Sequence, residues 1–139
     1  MNDGLERFVD AQDPQWGDVV AELAAGQKTT HWMWYVFPQL AGLGTSETAR
    51  HYAIADRTEA EAYLAHPVLG PRLLQACGLV LGHRDKDAAG MLGSTDAAKL
   101  RSSATLFARV AGEPEPFRGV LETFFHGEED PRTVELLGA

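Results

Sequence analysis

Histidine is the side chain poised to exchange protons near neutral pH, and His31 opens the string His31-Trp32-Met33-Trp34-Tyr35-Val36-Phe37-Pro38-Gln39. His31, Trp34 and Gln39 form a first constellation with chemical content. They offer an imidazole, an aromatic surface on which a flat ligand stacks, and an amide that both donates and accepts. The competing reading is structural: His31 and Gln39 satisfy buried backbone groups while the tryptophans fill the core. A second constellation is Asp96, Lys99, Ser102 and Ser103. On a helix, positions 96, 99, 103 and 107 share a face, which aligns Asp96, Lys99 and Ser103 above Phe107. Adjacent serines are poor interior helix residues because they compete for backbone hydrogen bonds. Beside small Ala104 they fit a close helix crossing or a hydroxyl-lined cavity. Three uses are open: an Asp96–Lys99 pair steadying a helix start over tightly packed serines, a polar ligand-binding face, or a Ser-Lys nucleophilic pair with a desolvated lysine as base. The first makes the fewest demands.

Other chemistry-bearing motifs are missing. The sequence has no phosphate-cradling glycine loop, no G-x-S-x-G elbow, no H-E-x-x-H and no EF-hand loop. Its histidines, at 31, 51, 66, 83 and 126, show no helical metal spacing, so neither a metal site nor a cofactor is expected. His66-Pro67 reads as a helix-breaking joint. Cys77 lies on an apolar stripe, where a buried, inert thiol is expected. Glu128 to Asp130 reads as a solvated helix start whose charge suits an N-terminus.

The chain that must position these groups has 139 residues and a mass of 15.1 kDa, the size of one domain. At that size about two-thirds of the unfolded surface is buried on folding, so a core forms without disulfides. Twenty acidic residues against twelve basic ones give a net charge of −8. That balance, with arginines scattered at 50, 57, 72, 84 and 101, argues against a nucleic-acid partner. Cys77 is the one cysteine, leaving no internal disulfide and no paired-cysteine metal site. Residues 1–10 lack the basic start and apolar run of a secretory signal. No stretch approaches the ~18 apolar residues of a membrane span. The expectation is a cytoplasmic domain over 1–139 with no linker, targeting segment or membrane association. Twenty alanines and nine arginines beside three lysines fit a GC-rich bacterial genome and explain Arg-for-Lys usage without function.

Periodicity predicts helices almost throughout. Leu5, Phe8, Val9 and Gln12 share a face of a first helix. Asp13-Pro14 offers an N-cap and a proline start for a second, whose apolar positions are Trp16, Val19, Val20, Leu23 and Ala24, with Gly26 closing it. His31 to Phe37 has no polar face, so it is expected as a buried central helix ended by Pro38, a buried strand being the alternative. Ser46 caps the next helix, and Thr58 with Glu61 has capping-box spacing for another. Leu69, Leu73, Ala76, Cys77, Val80 and Leu81 form the clearest core stripe. Asp87 to Leu92 reads as one turn, and Ser94 or Thr95 caps a longer helix through Leu100, Ala104, Phe107 and Val110. Pro114 or Pro116 opens a helix with Phe117, Val120, Leu121, Phe124 and Phe125 inward and Gly127 at its end, and Asp130-Pro131 opens the last. With one isoleucine, nine valines and no Asn-Gly or Asp-Gly hairpin, strands are not expected. The fold class is all-α, a compact single-domain bundle of about seven to nine short helices.

Gln12, Glu22-Leu23, Gly26, Lys28 and the His31 to Gln39 string are followed by Gly42-Leu43-Gly44, Ser46, Tyr52-Ala53-Ile54, Glu61-Ala62-Tyr63-Leu64 and His66-Pro67. Asp96, Lys99-Leu100, Ser102-Ser103 and Thr105-Leu106-Phe107 complete the pattern. Together these resemble the bacterial domain of unknown function 1810 family, some members of which carry a misleading calpastatin label. The resemblance spans nearly the whole chain, with Ala104 standing where relatives often have methionine. It implies a small, mainly helical domain and makes Lys28, His31, Gln39, Asp96, Lys99, Ser102 and Ser103 the first places to look for a site. The expected function is a pocket for a small polar or anionic, nucleotide-like metabolite. In it Lys28 and Lys99 meet negative charge, Trp32 or Trp34 stacks, and Gln39, Ser102 and Ser103 orient. For catalysis by hydrolysis or group transfer, His31 is the expected general acid or base, with Asp96 orienting it or serving as a second carboxylate. The alternative is a non-catalytic interaction or structural module, with a protein partner or a homodimer face.

Overall fold

The computed structural model describes residues 3–138. A 3-10 turn at Asp3–Leu5 precedes ten α-helices: α1 Glu6–Gln12, α2 Trp16–Ala25, α3 Met33–Val36, α4 Glu47–His51, α5 Arg57–Ala65, α6 Leu69–Leu81, α7 Ala88–Leu92, α8 Ser94–Val110, α9 Phe117–Phe125 and α10 Pro131–Leu137. Among the described residues there is no regular strand, only a parallel bridge between Leu40 and Ile54. The all-helical class expected from the sequence is the class observed. The count matches as well, apart from α3, a single turn of four residues.

Several helix starts lie where the side-chain oxygens predict. Ser46 accepts from Ala49 N, Asp87 from Gly90 N and Asp130 from Thr133 N. Gly26 closes α2 with φ 72°, a conformation that favours glycine. Other starts differ. Asp13 does not cap α2, because its carboxylate pairs with Arg72 at 2.9 Å, and the helix begins at Trp16. Helix α5 starts at Arg57 on Asp56, which accepts from Glu59 N at 2.9 Å, so the Thr58–Glu61 capping box does not form. Helix α8 begins at Ser94 behind Gly93, and neither Ser94 nor Thr95 serves as its cap.

Helices α5 and α6 meet at 86° across the His66-Pro67 joint. There His66 Nδ1 accepts from Val68 N at 3.1 Å and Leu69 N at 3.2 Å, capping the start of α6. The corner is tight: a Cβ on Gly70 would lie 2.2 Å from the Leu64 carbonyl oxygen. Among the described residues no single helix is long and apolar enough to cross a membrane.

The core runs from Phe8, Leu23 and Trp32 through Tyr63, Leu73 and Val80 to Leu100, Phe107, Phe117 and Val120, all 2 % exposed or less. Helix α8 passes through its centre and packs against α5, α7, α9 and α10. Its Arg101 donates to the Glu128 and Glu129 carbonyls, and Arg109 forms a bidentate pair with Glu129 at 2.7 and 2.8 Å. These bonds seat α10 on the rear of α8 and leave its first two turns facing the segment that follows α2.

Candidate functional site

Gly26 turns the chain back at the end of α2, and Lys28 N donates to the Met91 carbonyl at 2.8 Å, pinning the loop to the end of α7. Glu22 then fixes the loop's shape. Its Oε1 accepts from Thr29 N, Thr30 N and Trp32 Nε1, and its Oε2 from Thr30 Oγ1, at 2.7–3.0 Å. Partial burial pushes this carboxyl up, but those hydrogen bonds outweigh it and hold the group down at about 2, against an ordinary value of 4.5. The loop is therefore tied to an ionised carboxylate.

Held in this way, Lys28 reaches the first turn of α8. Its Nζ lies 2.8 Å from Asp96 Oδ2, while Lys99 Nζ, one turn along, lies 3.3 Å from Asp96 Oδ1. The three side chains are 7 %, 18 % and 18 % exposed, in the order Lys28, Asp96, Lys99. Lys28 Nζ stands 5.1 Å from the centre of the Trp32 ring and Lys99 Nζ 4.6 Å from that of Trp34. Two ammonium groups thus share one carboxylate over two indoles, and among the described residues one positive charge in this mostly covered place has no carboxylate of its own.

The cluster unites Lys28, Trp32, Trp34, Asp96 and Lys99, five of the residues the sequence singles out. The others form no ion pair or hydrogen bond with it among the described residues. His31 is exposed, and among the described residues the partners of Asp96 are the two lysines, not His31. The backbone of His31 accepts from the Tyr35 hydroxyl. Gln39 contributes its main chain, whose carbonyl accepts from Ile54 N at 2.8 Å. Ser102 faces the start of α10, donating to Asp130 Oδ2 at 2.9 Å, with the Ala98 carbonyl the alternative acceptor at 3.2 Å. Ser103 is 1 % exposed, and among the described residues its hydroxyl has no hydrogen-bond partner. Trp32 is fully buried, so of the two indoles only half-buried Trp34 presents a surface for stacking.

That surface belongs to a cleft of about 550 Å³ lined by Trp34, Tyr35, Glu47, Thr48, His51 and Tyr52. Burial, with Tyr52 next to it, raises the Tyr35 hydroxyl above the ordinary tyrosine range. The polar side of the cleft comes from α4, where Glu47 and His51 are one turn apart. Sequence reasoning missed both, because a short polar helix carries no motif. It also missed the tasks of Glu22 and Gln12. Gln12 Nε2 donates to the Tyr35 carbonyl at 2.6 Å and the Tyr63 hydroxyl at 3.2 Å, and its Oε1 accepts from Arg72. The available signal was a glutamine on the apolar face of the first helix. Among the described residues no three His, Cys, Asp or Glu side chains converge in a metal-holding group.

No curated relative matches the chain. Among solved structures it is similar to the conserved hypothetical protein Rv1873 from Mycobacterium tuberculosis, at 48 % identity and a TM-score of 0.95, over 97 % of this chain and 96 % of that one. The family described as Protein of unknown function (DUF1810) matches residues 2–137, and the chain belongs to that family, as the resemblance implied.

Proposed function

We propose that the protein binds a small anionic, nucleotide-like metabolite at the Lys28–Asp96–Lys99 cluster. The observation that carries this reading is the charge count: two ammonium groups on one carboxylate, with side chains 18 % exposed or less. A cation withdrawn from water is costly unless an anion compensates it, and a phosphate or carboxylate group supplies that anion. Lys99 is the better placed to receive it, being more exposed than Lys28 and above half-buried Trp34. Binding rather than turnover is the reading, because Asp96 is committed to the lysines and does not orient His31.

The test is a thermal-shift series on the full chain with inorganic phosphate, sugar phosphates and mononucleotides. A ligand at 100 times its Kd adds about 2.7 kcal/mol, several degrees for a domain of this size. The shift is expected to disappear in Lys99→Ala and persist in His31→Ala. No shift with any anion, or a shift that survives both Lys28→Met and Lys99→Ala, overturns the reading.

A structural role for the same residues is favoured by one observation: the 2.8 Å Lys28–Asp96 ion pair joins the loop after α2 to the first turn of α8. On that reading the cluster fastens α8 to the loop after α2, and lysine variants lose stability without any change in response to anions.

A further inference from the structure

The cation cluster and the cleft share a wall. Trp34 lies under Lys99 Nζ and also lines the cleft, whose other aromatic members are Tyr35 and Tyr52, their ring centres 5.1 Å apart. We infer that the cleft is a second subsite for the same ligand and takes a purine ring whose N–H edge faces Glu47, while the ligand's anionic group lies at Lys99. This rests on the anion-binding reading above and assigns the other half of the molecule bound.

Three aromatic side chains with a carboxylate could instead receive an organic cation. The position of Lys99 decides between the two. With an ammonium 4.6 Å from the Trp34 ring centre, a second cation against that indole meets a like charge at short range, and the indole's electron density is already drawn toward Lys99. A neutral, electron-rich ring meets no such repulsion, and stacking on an aromatic side chain is its ordinary mode of recognition. The polar side of the cleft fits the same occupant. Glu47 and His51 lie one turn apart on α4, with Thr48 between them in sequence; both are exposed, and the His51 ring packs edge-on against Tyr52 at 4.6 Å. A carboxylate accepts two adjacent N–H donors, the pattern on the edge of guanine, whereas adenine offers it a single amino group. The cleft, at about 550 Å³, is shallow and open to solvent, so it offers a purine a face to stack on and an edge to bond and does not enclose it.

Calorimetric titration of the full chain with inorganic phosphate, GMP, AMP and guanosine separates the two readings. GMP is expected to bind at least about tenfold more tightly than phosphate, the gain of one stacked and hydrogen-bonded base, and more tightly than AMP. Glu47→Gln is expected to reduce GMP affinity by about tenfold while leaving phosphate unchanged, and His51→Ala tests the same side of the cleft from an independent residue. Equal binding of phosphate and GMP, or GMP binding indifferent to both variants, overturns the purine subsite and leaves the anion site standing. Guanosine binding that depends on Glu47 without any phosphate binding supports the subsite and overturns the anion reading. Absence of binding by all four compounds overturns both.

Discussion

Trp32 Nε1 donates to Glu22 Oε1 across 2.9 Å, so a fully buried indole is fixed by a carboxylate that also holds the amides of Thr29 and Thr30. The bond couples the core to the loop that delivers Lys28.

The coupling makes Glu22 a stability element with a definite pH dependence. Its folded value lies below its ordinary one, at about 2 against 4.5. Its contribution is therefore complete above about pH 5 and is lost as pH falls through 4 toward 2. Glu22→Gln is expected to cost about 2 kcal/mol at pH 7, allowing for solvent screening at this partly exposed group. Urea melts of the two proteins should draw together from about pH 5 downward and converge only near pH 2; a constant difference across that range contradicts the assignment.

The charge count at Asp96 predicts unequal effects for its partners. Asp96→Asn leaves two ammonium groups largely out of water without a counter-charge, and a loss of about 3 kcal/mol is expected. Lys28→Met leaves Asp96 paired with Lys99 alone while keeping the contact with Trp32, and is expected to lie within about 1 kcal/mol of the parent. Thermal unfolding of both variants measures the asymmetry. Equal losses would mean that the two lysines are not in surplus.

At the α5–α6 corner the margin is steric. The Cβ of Gly70→Ala would meet the Leu64 carbonyl oxygen at 2.2 Å, and backbone at that distance yields only by opening the corner. A loss of about 3 kcal/mol is expected. Gly17→Ala, on an open helix face with nothing within 4 Å, is expected to stabilise slightly. The pair is read from denaturant midpoints.

Cys77 is 2 % exposed, and burial pushes its thiol up to about 12. The native protein is expected to resist an aromatic disulfide reagent at pH 8 and to release one equivalent on unfolding. Rapid native reaction would show that α6 opens readily.

The sequence made the helices legible wherever one polar side chain had one task. Asp87 and Asp130 each stand directly before a helix and cap it. Where two residues compete, local reading fails for an identifiable reason. Asp13 is drawn to Arg72, a partner distant in sequence, and Asp56 takes the start of α5 ahead of Thr58. The string from His31 to Phe37 narrows to the turn Met33–Val36, with Trp32 (φ −140°) and Phe37 (φ −121°) outside helical geometry on either side, so its all-round apolar character marked burial and not helix length. At the site, the Asp96–Lys99 spacing was readable because both residues lie on one helix. The arrival of Lys28 depends on the Gly26 turn and the Met91 carbonyl, which no local pattern reveals. The Glu47–His51 side of the cleft was invisible for the same reason, since Trp34 and α4 come together only by folding.

The three tryptophans occupy unlike surroundings: Trp32 fully buried under Lys28, Trp34 half-buried between Lys99 and the cleft, and Trp16 half-buried beneath the Arg72 guanidinium at 5.2 Å. The molecule therefore carries its own optical reporters. Emission from Trp32 follows the integrity of the core, a Trp16→Phe background removes the signal remote from the cluster, and quenching of Trp34 reads out directly whatever enters beside it.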